Sequence, residues 1–147
     1  RLGDIDAAIT EYKTVLILKP GDAVARYNMG NAYERKGLLN EAISEYRSAI
    51  KLKPDYLQAH SNLGNVYFAQ GQIENAINEF RESLRLIPDV AETHNNLGVA
   101  YGEQGKITEA IKEFKTALRL KPGFDKAELN LRIIFREAEK NNNDRRQ

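Results

Sequence analysis

Four prolines punctuate the chain at one fixed step. Pro20, Pro54, Pro88 and Pro122 are its only prolines, and each lies 34 residues from the next. Gly3, Gly37, Gly71 and Gly105 keep the same step, as do Gly30, Gly64 and Gly98, and Ala8, Ala42, Ala76 and Ala110. Two aromatic columns run beside them: Tyr33, Tyr67, Tyr101 and Phe135, and Tyr12, Tyr46, Phe80 and Phe114. Six columns in one register over 147 residues make the chain an array of one small unit.

The unit reads as two helices. Between Gly37 and Pro54 the apolar residues Ala42, Ile43, Tyr46, Ala49, Ile50 and Leu52 follow the three-and-four spacing of an amphipathic helix. Between Pro54 and Gly71 a second helix carries Leu57, Ala59, Leu63, Val66 and Tyr67. Proline falls just past one helix end and glycine past the other, where a left-handed residue stops the ladder. Asp6, Asn40 and Thr108 are expected to cap the first kind of helix, and Asp55 and Asp89 the second. No alternating β pattern competes. A single pair cannot bury its apolar faces, so neighbours must stack.

With the period in hand, the chain resembles the tetratricopeptide repeat (TPR) family. One repeat reads His60, Leu63-Gly64, Tyr67, Ala76, Phe80, Ser83, Pro88; the next reads His94, Leu97-Gly98, Tyr101, Ala110, Phe114, Ala117, Pro122. Arg26, His60 and His94 stand where the family pattern has tryptophan. The resemblance implies an all-α fold, a right-handed superhelical α-solenoid of antiparallel helix pairs, spanning 1–147 as one domain. It divides into the second half of a repeat (1–22), three repeats (23–56, 57–90, 91–124), a capping helix (125–140) and a frayed tail (141–147). Arg132 replaces the column glycine in that last helix. The leading half-repeat lacks a partner helix, so Ile5, Ile9, Tyr12 and Leu16 are expected to be partly bare.

The resemblance also implies that the first helix of each repeat lines a concave groove. Its sixth position is asparagine four times: Asn28, Asn62, Asn96 and Asn130. Asparagine is a poor helix former, so propensity alone does not select it. Each carboxamide offers a donor and an acceptor and can hold the backbone of an extended peptide. The arrangement is similar to the asparagine ladder of the O-linked N-acetylglucosamine transferase-type TPRs, and Asn31 and Asn65 widen it. The other reading is that these asparagines brace neighbouring helices. Val99, Leu129 and Ile133 also fall on groove positions, where they form an apolar pocket; the other reading is that Leu129 and Ile133 cover the last repeat or face a truncated neighbour. The carboxylate clamp of chaperone-binding TPRs fits poorly: Asn31 and Asn62 match it, but Tyr27, Glu92 and Asn96 do not.

Composition narrows the function. Lys plus Arg number 22 against 21 Asp plus Glu, a net charge of +1 that gives no grip on nucleic acid. The absence of cysteine removes disulfides, thiol catalysis and cysteine zinc sites. No apolar run approaches the ~20 residues of a membrane span. His60 and His94 sit one repeat apart, on helix layers ~10 Å apart, too far to share a metal. Glu45, Glu79 and Glu113 recur at helix spacing and read as solvated faces, not as a catalytic pair. The expected protein is therefore a non-enzymatic, cytoplasmic scaffold with no cofactor and no metal. Its partner is a protein or peptide held in the groove. The alternative is self-assembly, a homo-oligomer stacking through the exposed terminal helices, the N-terminal one above all.

Overall fold

In the computed structural model the backbone is described over residues 2–144 and the side chains over 3–140. The described residues form eight helices and no strand: α1 (Leu2–Leu18), α2 (Ala23–Arg35), α3 (Leu39–Leu52), α4 (Leu57–Ala69), α5 (Ile73–Leu86), α6 (Ala91–Glu103), α7 (Ile107–Leu120) and α8 (Asp125–Asp144). The chain forms two compact units, 1–72 with α1–α4 and 73–147 with α5–α8. The segment expected to fray from 141 is helical through Asp144, and 145–147 lie outside the described residues.

The turns follow the glycine column. Gly37, Gly71 and Gly105 have φ of 77°, 72° and 71°. At the first of them Gly37 N–H donates to Glu34 O at 2.9 Å and Leu38 N–H to Tyr33 O at 2.9 Å. This paired closure of a helix end places one residue in the left-handed region, which glycine enters without a Cβ penalty.

The expected N-caps are overturned. Asp22 caps α2, its Oδ1 accepting from Ala25 N–H at 2.9 Å. Leu38, Tyr56, Val90 and Lys106 occupy the cap positions of α3, α4, α6 and α7 without a side-chain bond. Asn40 and Thr108 therefore lie inside the first turn, Asp55 and Asp89 lie one residue too early, and Asp6 is within α1. Asp6 and Asn40 serve the next repeat instead. Lys36 Nζ donates to Asp6 and Gln70 Nε2 to Asn40 Oδ1, while in the second unit Gln104 Nε2 donates to Glu74. These three pairs are one bond repeated every 34 residues, tying the end of each first helix to the start of the second helix before it.

In the first unit Ile5, Ile9 and Leu16 are buried against α2, with Ala32, Ala25 and Met29. The expectation that they are bare fails because the following repeat covers that stripe. Tyr12 is half-buried. Exposure falls instead on Ile17 and Leu18, 78% and 77% accessible. Ala42, Tyr46, Leu63 and Val66 form the core between α3 and its neighbours. In the second unit Ala110, Phe114 and Ile134 form the corresponding core, with Val99, Tyr101 and Leu131 packed on it.

Gly30 and Gly98 explain how each first helix reaches its partner. A Cβ on Gly30 would lie 2.7 Å from the Tyr46 ring, and one on Gly98 would lie 2.7 Å from the Phe114 ring. The helices close to ring-on-backbone contact only because those side chains are missing.

Candidate functional site

The first-helix face of each unit carries the asparagines, and they differ in what they do. In the first unit Asn62 Nδ2 donates to Asn31 Oδ1 at 2.8 Å and lies 3.3 Å from Tyr27 Oη and 3.4 Å from Tyr46 Oη. The Tyr46 hydroxyl has one proton to donate between Asn31 Oδ1 at 2.7 Å and Glu34 Oε2 at 2.6 Å. Asn31 and Asn62 therefore brace α2, α3 and α4 as part of a polar network around a buried phenol. Asn28 has no such role: its carboxamide is half-buried and makes no hydrogen bond among the described residues. It lines a cleft of about 650 Å³ with Ile5, Ala8, Tyr12, Asn31 and Glu34. Asn65 is exposed on the same helix as Asn62.

The second unit uses a different residue for its brace. Asn130 Nδ2 donates to Asn95 Oδ1 at 2.9 Å, and Asn95 Nδ2 lies 3.3 Å from Asn96 Oδ1. Asn95 is buried and was not among the sequence candidates. Its position holds Tyr27, Ser61 and Leu129 in the other repeats, so no column marked it. Val99, Asn130 and Ile133 meet in a second cleft of about 310 Å³, with Gly98, Gly102, Glu103 and Glu137. Leu129 is 51% exposed and does not line it.

Burial, reinforced by the hydrogen bond and the charge of Glu34, holds the Tyr46 phenol far above its ordinary value. The native state therefore keeps this proton where the unfolded chain gives it up. Its contribution to stability is complete below the unfolded value, near pH 10, and declines as pH rises beyond it. The advantage of wild type over Tyr46→Phe should shrink by about 1.4 kcal/mol between pH 9 and pH 11. Urea unfolding of both proteins at the two pH values checks this; an unchanged gap would mean that the phenol is not confined.

The residues in the tryptophan slot hold the helix pair together. Arg26 Nη1 pairs with Glu45 Oε2 at 2.9 Å, and His94 Nδ1 lies 2.6 Å from Glu113 Oε2. His60 Nε2 and His94 Nε2 lie 3.0 Å and 2.8 Å from the carbonyls of Pro54 and Pro88. Glu45 and Glu113 are thus largely covered partners within a repeat, which corrects their reading as solvated faces. Among the described residues no three His, Cys, Asp or Glu side chains gather to hold a metal. No helix there is long and apolar enough to cross a membrane.

Comparison with known proteins agrees with this architecture. The family model described as TPR repeat matches residues 1–37, 35–71 and 64–105, and the one described as tetratricopeptide repeat matches 91–124. The crystal structure of MamA protein is 28% identical, covers 91% of this chain and 73% of its own, and superposes with a TM-score of 0.87. YrrB, described as a TPR protein with an unusual peptide-binding site, is 23% identical over 93% of this chain and 71% of its own, with a TM-score of 0.84. The first TPR of Spaghetti (RPAP3), bound to an HSP90 peptide, is 24% identical over 80% of this chain and 93% of its own, with a TM-score of 0.78. The last two comparisons bear on the fold alone. No curated protein matches at a significant level. The matched repeats run from residue 1 to residue 124, and the chain belongs to the tetratricopeptide repeat family, with its all-α, TPR-type helical solenoid fold.

Proposed function

We propose that the chain is a non-enzymatic protein-interaction module that holds a segment of a partner protein, extended or helical, on the face built by the first helices of its repeats. The observation that carries this reading is a cleft in each unit to which first helices contribute, α2 beside α1 in one, and α6 and α8 beside α7 in the other. Each places a sequence-periodic asparagine beside apolar side chains: Asn28 with Ile5 and Tyr12, and Asn130 with Val99 and Ile133. An unpartnered carboxamide such as Asn28 can both donate to and accept from a peptide backbone. Each such bond contributes ~1 kcal/mol net, so a few of them suit a reversible, micromolar contact. RPAP3 holds an HSP90 peptide with the same fold.

Self-association through the terminal helices finds less support. Ile5, Ile9 and Leu16 are already covered by α2. Arg132 stands where Gly30 and Gly98 admit an aromatic ring, so stacking α8 of one copy onto α1 of another would lack that ring-on-backbone contact.

The asparagines separate binding from bracing. Asn28→Ala should leave stability within about 0.5 kcal/mol and weaken a partner by ~1 kcal/mol. Asn62→Ala should cost ~1 kcal/mol of stability as well, because the hydrogen bond its Nδ2 donates to Asn31 is lost. Thermal unfolding and calorimetric titration of the two variants test the distinction. Undiminished affinity in Asn28→Ala would remove that residue from the site.

A further inference from the structure

The cleft in the second unit is narrower in chemistry than the one in the first. Its floor is the Phe114 ring beside Gly98, and its walls are Val99, Ile133 and Ile134. Gly102 opens it. The same repeat position holds Glu34, Phe68 and Arg136 elsewhere, so only this repeat lacks a side chain there. A Cβ on Gly102 would already touch Ile134 Cδ1 at 3.4 Å. The rim carries charge of one sign. Glu103 and Glu137 occupy the same position in successive first helices, both are exposed, and neither makes an ion pair among the described residues. Arg136 precedes Glu137 in sequence but does not line the cleft.

An apolar slot bordered by two unneutralised carboxylates selects its occupant by shape and by charge. Resting on the interaction reading above, we infer that this cleft takes an aliphatic side chain of a partner segment that carries Lys or Arg within one or two residues of it. The aliphatic group displaces water from Val99 and Ile133 above the packed Phe114 ring, and the cation meets Glu103 and Glu137. The carboxylates repel acidic segments, so the site discriminates in the opposite sense to a clamp for a terminal carboxylate.

Selection of random twelve-residue peptides displayed on phage, against the whole chain, tests this directly. The expected consensus is an aliphatic residue beside Lys or Arg. Synthetic peptides of that consensus should lose at least about tenfold in affinity on Gly102→Leu, which fills the slot. They should lose a comparable factor on Glu103→Lys/Glu137→Lys and weaken as salt is raised. The second variant lies on the exposed rim and keeps the test valid if the first disturbs packing. An acidic or uncharged consensus, or full binding by both variants, overturns the inference. Peptides that depend on Asn28 but not on Gly102 would overturn it and leave the interaction reading standing. Failure to select any peptide counts against both.

Discussion

Gly98→Leu should destabilise the second unit by about 3 kcal/mol, while Gly102→Leu, one turn further along the same helix, should leave it folded and nearly as stable. The contrast follows from what each new side chain meets. At Gly98 the first added atom lies 2.7 Å from Phe114 Cε1 and 2.8 Å from Cδ1, inside any tolerable contact. The Phe114 ring is 2% exposed and packed beside Ala110 and Ile134, so it has nowhere to turn. α6 must lift away from α7, and the core between them opens. Leucine returns roughly 1 kcal/mol of helix propensity relative to glycine, which is too little to offset overpacking. At Gly102 the new side chain enters the open cleft and needs only Ile134 Cδ1 to yield slightly. Urea unfolding followed by circular dichroism measures both. Equal stability of wild type and Gly98→Leu would mean that the helix pair does not close on ring-to-backbone contact.

Tyr46→Ala should cost the first unit about 4 kcal/mol or more, and Tyr46→Phe about 1 kcal/mol. Tyr46 is fully buried, so truncation to alanine leaves a ring-sized cavity beneath Gly30. It also removes the hydroxyl that joins Asn31, Glu34 and Asn62. The phenylalanine variant keeps the packing and loses the hydroxyl alone, as the natural Phe114 does in the second unit. Near-equal losses in the two variants would assign the stability to the polar network and not to the ring.

These two cases also mark how far the sequence could be read. The columns of proline, glycine and aromatic residues specify two helices per 34 residues, because a turn, a stop and a close approach each demand a particular residue type. The left-handed Gly37, Gly71 and Gly105 and the buried Tyr46, Phe80 and Phe114 follow from those columns. Bonds between repeats were not legible. Asp6 and Asn40 look like caps when one helix is considered, yet each meets a partner 30 residues later, on the next helix layer. For the same reason Ile5, Ile9 and Leu16 look bare in the sequence, since a half-repeat alone does not show the repeat that packs over it.

The candidate site was legible in part. Asn28, Asn62, Asn96 and Asn130 form a column, with Asn31 beside it, but the column does not say which carboxamides are occupied by neighbouring helices. Asn31 and Asn62 are engaged with each other and with Tyr46, and Asn130 with Asn95; only their placement beside other side chains distinguishes them from Asn28. Gly102 was the missed signal. It breaks a position that is otherwise large or charged, and it opens the cleft that Val99 and Ile133 line.

Photo-crosslinking in native lysate, with a light-activated residue placed at Asn28, on the first-helix face, or at Lys51, exposed on α3, locates the working surface. A partner should be captured from position 28 and not from position 51. Capture from position 51 alone, or equally from both, would contradict a working site on the first-helix face.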